Sequence, residues 1–156
     1  MKKHMLMLSA LLFALIAFSA CENNTSSNTI EVIDCHGNSS NVVALNANND
    51  SVLQENPFLS YVRAQHIGEN NYKITHHFFE NCERHVRADF RSVDNDLRIV
   101  EHVTGNARAD CECNFDAVAT LKDAAPGVYH LTIKSGSWTS EYDLNLTYDV
   151  DTLIMY

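Results

Sequence analysis

After residue 18 this 156-residue chain has no long apolar run, and it is poor in cations throughout. The one long run, Met5 to Phe18, falls short of the about 20 apolar residues that a membrane-spanning helix needs. Eleven Lys and Arg face 20 Asp and Glu, a formal charge of −9. That balance excludes a protein that holds nucleic acid or anionic lipid headgroups through its overall field. Motifs of nucleophilic and phosphate chemistry are also missing. The chain has no Gly-x-Ser-x-Gly elbow, no glycine loop that would cradle phosphate and no His-Glu-x-x-His. No segment keeps a helical period over three turns, which argues against a helical domain.

The N-terminus carries the strongest local pattern. Met1-Lys2-Lys3-His4 is a basic start, Met5 to Phe18 an apolar core, and Ser19-Ala20-Cys21 a small-residue ending. This is the anatomy of a secretory signal. Cysteine directly after the small residues matches a lipobox, so Cys21 is expected to be acylated and to become the first mature residue. Residues 1–20 are then a lipoprotein signal peptide. Residues 21–28 are a polar, flexible tether, and residues 29–156 form one domain. Removing residues 1–20 takes away two lysines and no acid, leaving a formal charge of −11. Glu22 follows the cysteine where the enterobacterial inner-membrane retention signal has Asp, so the outer membrane is the expected destination.

Four cysteines remain: Cys35, Cys82, Cys111 and Cys113. An even count in an exported domain favours disulfides. Alternate strand residues lie about 6.6–6.8 Å apart, at the far limit of disulfide reach. Cys111 and Cys113 are therefore expected to bond elsewhere, one to Cys82 and the other to Cys35. A soft-metal site for copper or zinc on Cys111 and Cys113 with a histidine is the alternative use of these thiols. Thiolates on one zinc sit about 3.8 Å apart, so this site would need a bulge in the strand.

From residue 58 on the pattern is β. Val86, Ala88 and Phe90 alternate with His85, Arg87, Asp89 and Arg91. Leu97, Ile99 and Val103 alternate with Arg98 and His102, and Asp94-Asn95-Asp96 supplies turn chemistry between the two runs. Tyr142, Leu144, Leu146, Tyr148 and Val150 alternate with acidic and polar neighbours. Further strands are expected at 29–35, 58–67, 72–80, 111–121 and 128–134. Residues 38–56, rich in Asn and Ser, read as a loose region. Period-two alternation predicts antiparallel strands with one buried face. The fold class is therefore all-β, a single antiparallel β-sandwich.

Pro126-Gly127-Val128-Tyr129 resembles the tyrosine corner of immunoglobulin-like and fibronectin-like sandwiches, in which a tyrosine bonds back to upstream backbone. The resemblance implies about seven to nine strands, with 142–150 as the last.

His76 and His77 are adjacent on a strand and must face opposite sides, so they cannot share an ion in a regular strand. The best surface candidate is a local basic patch. A hairpin turning at Asp94-Asn95 places Arg91 opposite Arg98 and Arg87 opposite His102, with His85 nearby, all outward. Opposed like charges cost energy unless an anion or a neighbouring acid neutralises them. Asp89, Glu83 and Glu101 are the acids that could do so. An anionic glycan, a carboxylate or an acidic partner loop would bind there.

Phe18 in the lipobox, followed by the Asn/Ser tether, resembles lipoproteins of Bacteroides-type bacteria. Asp50-Ser51-Val52 and Asp151-Thr152-Leu153 resemble the Asp-Ser/Thr-aliphatic sites such bacteria O-glycosylate, which implies modification at Ser51 and Thr152. Cys111-Glu112-Cys113-Asn114-Phe115-Asp116, with Leu121 and Pro126-Gly127-Val128-Tyr129, is similar to a segment of small cell-envelope lipoproteins of that group. The resemblance covers about residues 76–134 and the signal and implies an envelope lipoprotein, with no activity to carry over. The expected role is non-catalytic, a lipid-anchored binding or assembly module without a cofactor. Its partners would be the membrane, through the anchor, and a protein or glycan. A soft-metal protein and an inhibitor or immunity-type lipoprotein are the alternatives.

Overall fold

The computed structural model describes residues 28–34, 59–108 and 110–156. Cys21, Cys35, Ser51, the signal and the region 38–56 lie outside them. The described residues form nine strands and no helix: β1 (Thr29–Ile33), β2 (Tyr61–His66), β3 (Tyr72–Asn81), β4 (His85–Val93), β5 (Asp96–Thr104), β6 (Glu112–Leu121), β7 (Gly127–Ser135), β8 (Trp138–Leu146) and β9 (Asp151–Met155). They build a β-sandwich. One sheet has the order β1-β6-β3-β2-β9, the other β4-β5-β7-β8.

Burial follows the sequence period. In β6, Cys113, Phe115, Ala117, Ala119 and Leu121 are buried, and in β5 Leu97 and Ile99. Tyr72 and Ile74 of β3 meet Leu131 and Ile133 of β7 and Leu144 and Leu146 of β8 between the sheets. Turn residues set the registers. The β4–β5 hairpin closes Val93 on Asp96, with Asp94 at φ 51°, a conformation Asp tolerates through local hydrogen bonding. Asn95 also ties this turn to β7: its side-chain amide donates to the Val128 carbonyl, and its own carbonyl accepts from the His130 amide. The Tyr129 hydroxyl donates to the Ala125 carbonyl at 2.8 Å, the upstream bond of a tyrosine corner.

Three features differ from the sequence expectation. The second sheet is mixed, because β5 runs parallel to β7, whereas immunoglobulin sheets are antiparallel. The last expected strand, 142–150, ends early and is not the last: β8 runs from Trp138 to Leu146, Thr147–Val150 turns the chain, and β9 follows. The alternation of Tyr148 and Val150 continued the period across a turn, where Thr147 donates its hydroxyl to Asp149. Finally, Asn28, assigned to the tether, is tied to the domain, its side-chain carbonyl accepting the Lys122 amide at 3.0 Å.

Cys82 at the end of β3 is bonded to Cys111 just before β6, with Cα atoms 5.8 Å apart. This joins two strands that already pair along their length. Cys113 is also disulfide-bonded. Peptide mapping of the non-reduced protein is expected to find Cys82 linked to Cys111 and Cys113 linked to Cys35, with no free thiol; a free Cys35 would refute the second link.

Candidate functional site

Two faces of the sandwich collect chemistry. The first is the outer face of β4 and β5. The register puts Arg91 opposite Arg98 and Arg87 opposite His102, and these side chains and His85 are exposed. None of the three acids that could have neutralised the patch pairs with its arginines. Asp89 holds His102 at 3.0 Å, Glu101 is buried with His76, and Glu83 accepts the Arg108 amide. Among the described residues, Arg87, Arg91 and Arg98 make no ion pair. On the same face, across β7 and β8, His130 lies 3.0 Å from Asp143 and 3.9 Å from Glu141. The hydrogen bond to Asp143 raises the pKa of this exposed histidine. The outer face is thus basic on β4 and β5 and balanced on β7 and β8.

The second collection centres on the adjacent histidines of β3. Strand parity sends His76 inward and His77 outward, and each finds an acid. His76, fully enclosed between the sheets, bonds through Nδ1 to Glu101 of β5, itself 3% exposed. Its Nε2 meets the Tyr156 hydroxyl. The Glu101 Oε2 atom is buried without a hydrogen-bond partner among the described residues. Phe78, Trp138 and Tyr156 lie near-parallel to the imidazole. Glu101 was legible in sequence only as a possible neutraliser of the arginines. Its inward parity with Leu97 and Ile99 was the signal that it points the other way.

His77, on the outer face of the five-stranded sheet, bonds Asp116 of β6 at 2.6 Å and stacks on Tyr61 at 4.7 Å. One strand pair away, Arg63 forks onto Asp151 with two 2.7 Å bonds. Burial and the negative field of Asp116 push the Tyr61 phenol up to about 12. Lys73, on the same face, is lowered first by burial and then by Arg63.

The remaining sequence candidates separate. Cys82 and Cys111 form a disulfide and Cys113 is in another. The soft-metal reading of Cys111 and Cys113 is therefore corrected: neither sulfur is a free thiolate, the form a metal needs. No group of three or more His, Cys, Asp or Glu side chains suited to a metal occurs among the described residues. Thr152 is exposed on the edge strand β9, while the Asp151 beside it is engaged by Arg63. Comparison with known protein families, curated proteins and solved structures gives no match for this chain.

Tyr61 gives the second prediction. Its proton is held to about pH 12 in the fold against 10.0 for an ordinary tyrosine. Its contribution to stability is therefore complete below pH 10 and is lost as pH rises toward 12, because the unfolded chain releases the proton first. Urea unfolding of Tyr61→Phe is expected to show a shallower decline over this window than the parent protein. The decline will not vanish, since the Tyr72, Tyr129 and Tyr156 phenols are also raised by burial.

Proposed function

We propose that this chain is a lipid-anchored envelope protein, a non-catalytic binding module whose contact surface is the outer face of β4 and β5. The carrying observation is the row of exposed arginines without acidic partners, on a chain with a formal charge of −9. Placing Arg91 against Arg98 costs energy in the free protein. An anion that bridges them removes that cost and gains charge-assisted hydrogen bonds, bidentate ones where the ligand offers carboxylate or sulfate oxygens. The ligand class is therefore a sulfated or uronic glycan, or a carboxylate-rich segment of a partner protein. The acidic remainder of the molecule repels the same ligand and confines it to this face.

The anchor reading rests on the sequence of residues 1–21. Acylation at Cys21 would hold the domain at the membrane, with more than one acyl chain supplying stable attachment. A disulfide-bonded sandwich suits the oxidising compartment such export implies. The outer membrane is the proposed site, from Glu22 after the cysteine. The region resembling small envelope lipoproteins, about 76–134, includes β4 and β5 and the disulfide partners.

Two experiments test this. Immobilised heparin and polygalacturonate are expected to retain the purified domain at low salt and release it as salt rises. Changing Arg87, Arg91 and Arg98 together to Glu is expected to cut retention by about tenfold or more; undiminished retention would sink the proposed surface. For the anchor, cells fed labelled palmitate are expected to label the parent protein, with a mature N-terminus at Cys21. Label on Cys21→Ser would refute acylation at that position.

A further inference from the structure

The sandwich has an aromatic end. Where β5 and β9 finish and β8 begins, Trp138, Tyr142 and Tyr156 gather against His76 and Phe78. Trp138 and Tyr142 share the inward parity of Leu144 and Leu146, yet Trp138 keeps 40% of its surface in solvent and Tyr156 45%. The rings of Trp138 and Tyr156 lie 5.8 Å apart at 27°, and Tyr142 is 5.7 Å from Tyr156 at 35°.

The ring positions are set from below. Glu101 holds His76, and His76 holds the Tyr156 hydroxyl, so the phenol is anchored at its inner tip and its ring runs out to the surface. A buried carboxylate with one unpartnered oxygen is an expensive way to gain stability, since apolar packing usually serves as well. What the pair supplies is position. An aromatic ring fixed before a ligand arrives loses little entropy on contact.

The geometry selects the ligand. Aromatic cages that hold quaternary ammonium groups surround the cation with ring faces, whereas Trp138 and Tyr156 are stacked at 27° and leave 40% and 45% of their surfaces in solvent, an open aromatic surface. Glu101 is engaged by His76, and among the described residues no arginine or lysine pairs with these rings, so no free cation is at hand to hold an anion. A flat neutral molecule with an apolar face and a hydroxylated rim fits both constraints. We propose that Trp138 and Tyr156 form a stacking site for the apolar face of a neutral pyranose sugar. The site is separate from the arginine face, which points away from the inter-sheet space.

Trp138 is the single tryptophan of the chain, so its fluorescence reports directly on this surface. Titrating the intact domain with cello-, malto-, xylo- and N-acetylglucosamine oligosaccharides is expected to give a saturable blue shift for at least one of them. Tyr156→Ala is expected to weaken that affinity by about tenfold, the scale of one aromatic contact. Tyr156→Phe, which keeps the ring and loses the His76 bond, should weaken it by less. The Arg87, Arg91 and Arg98 reversal should leave it unchanged, which separates this site from the one proposed above. No shift with any of the four sugars in the parent protein overturns the proposal, whether or not the variants fold. A shift produced only by tetramethylammonium or by heparin fragments overturns it too.

Discussion

Between two sheets packed almost wholly through Leu, Ile, Val, Ala and aromatic side chains, one carboxylate and one imidazole face each other: Glu101 from β5 and His76 from β3. Both are buried, so neither can exchange its partner for water. Losing one member of such a pair costs about 3–5 kcal/mol, because the other is left buried and alone. The contact is also directional, unlike the apolar layer around it. It sets β5 against β3 at one height of the sandwich and, through Nε2, brings the Tyr156 hydroxyl to the same point.

The arrangement also accounts for the bare arginines. Glu101 is next to His102 in sequence, yet the period of β5 turns it into the core. Asp89 bonds His102, and the paired acids Glu141 and Asp143 are taken up by His130 two strands away. Glu101, Asp89, Glu141 and Asp143 are each engaged by a histidine, and a net-negative protein carries a locally basic face. The outer face of the other sheet shows the opposite balance, with Arg63 answered by Asp151 and His77 by Asp116.

Much of this was legible residue by residue. The alternation of β4 and β5 with a turn at Asp94-Asn95 is enough to write their register, because the side-chain period is two and a slip of one residue would bury the arginines. The same parity separates His76 from His77 and turns Cys113 inward. The distance between alternate residues rules out a Cys111–Cys113 bridge, and Cys111 is found bonded to Cys82. The start of β9 was missed because Tyr148 and Val150 prolong the alternation through a turn, and periodicity does not register a change of direction. The parallel β5–β7 pair was missed because strand order arises from long-range packing.

By itself the sequence determined the local quantities: which residues alternate, which face each occupies and where hairpins close. These depend on neighbours two to four residues apart, and backbone stereochemistry leaves few alternatives at that range. Tertiary structure alone decided which acid meets which base. His76 finds Glu101 from 25 residues away and Tyr156 from 80, and Arg63 finds Asp151 from 88. Such pairings follow from how two sheets stack and cross, a property no single strand encodes. They also decide which surface charges are left without an ion pair among the described residues, as Arg87, Arg91 and Arg98 are.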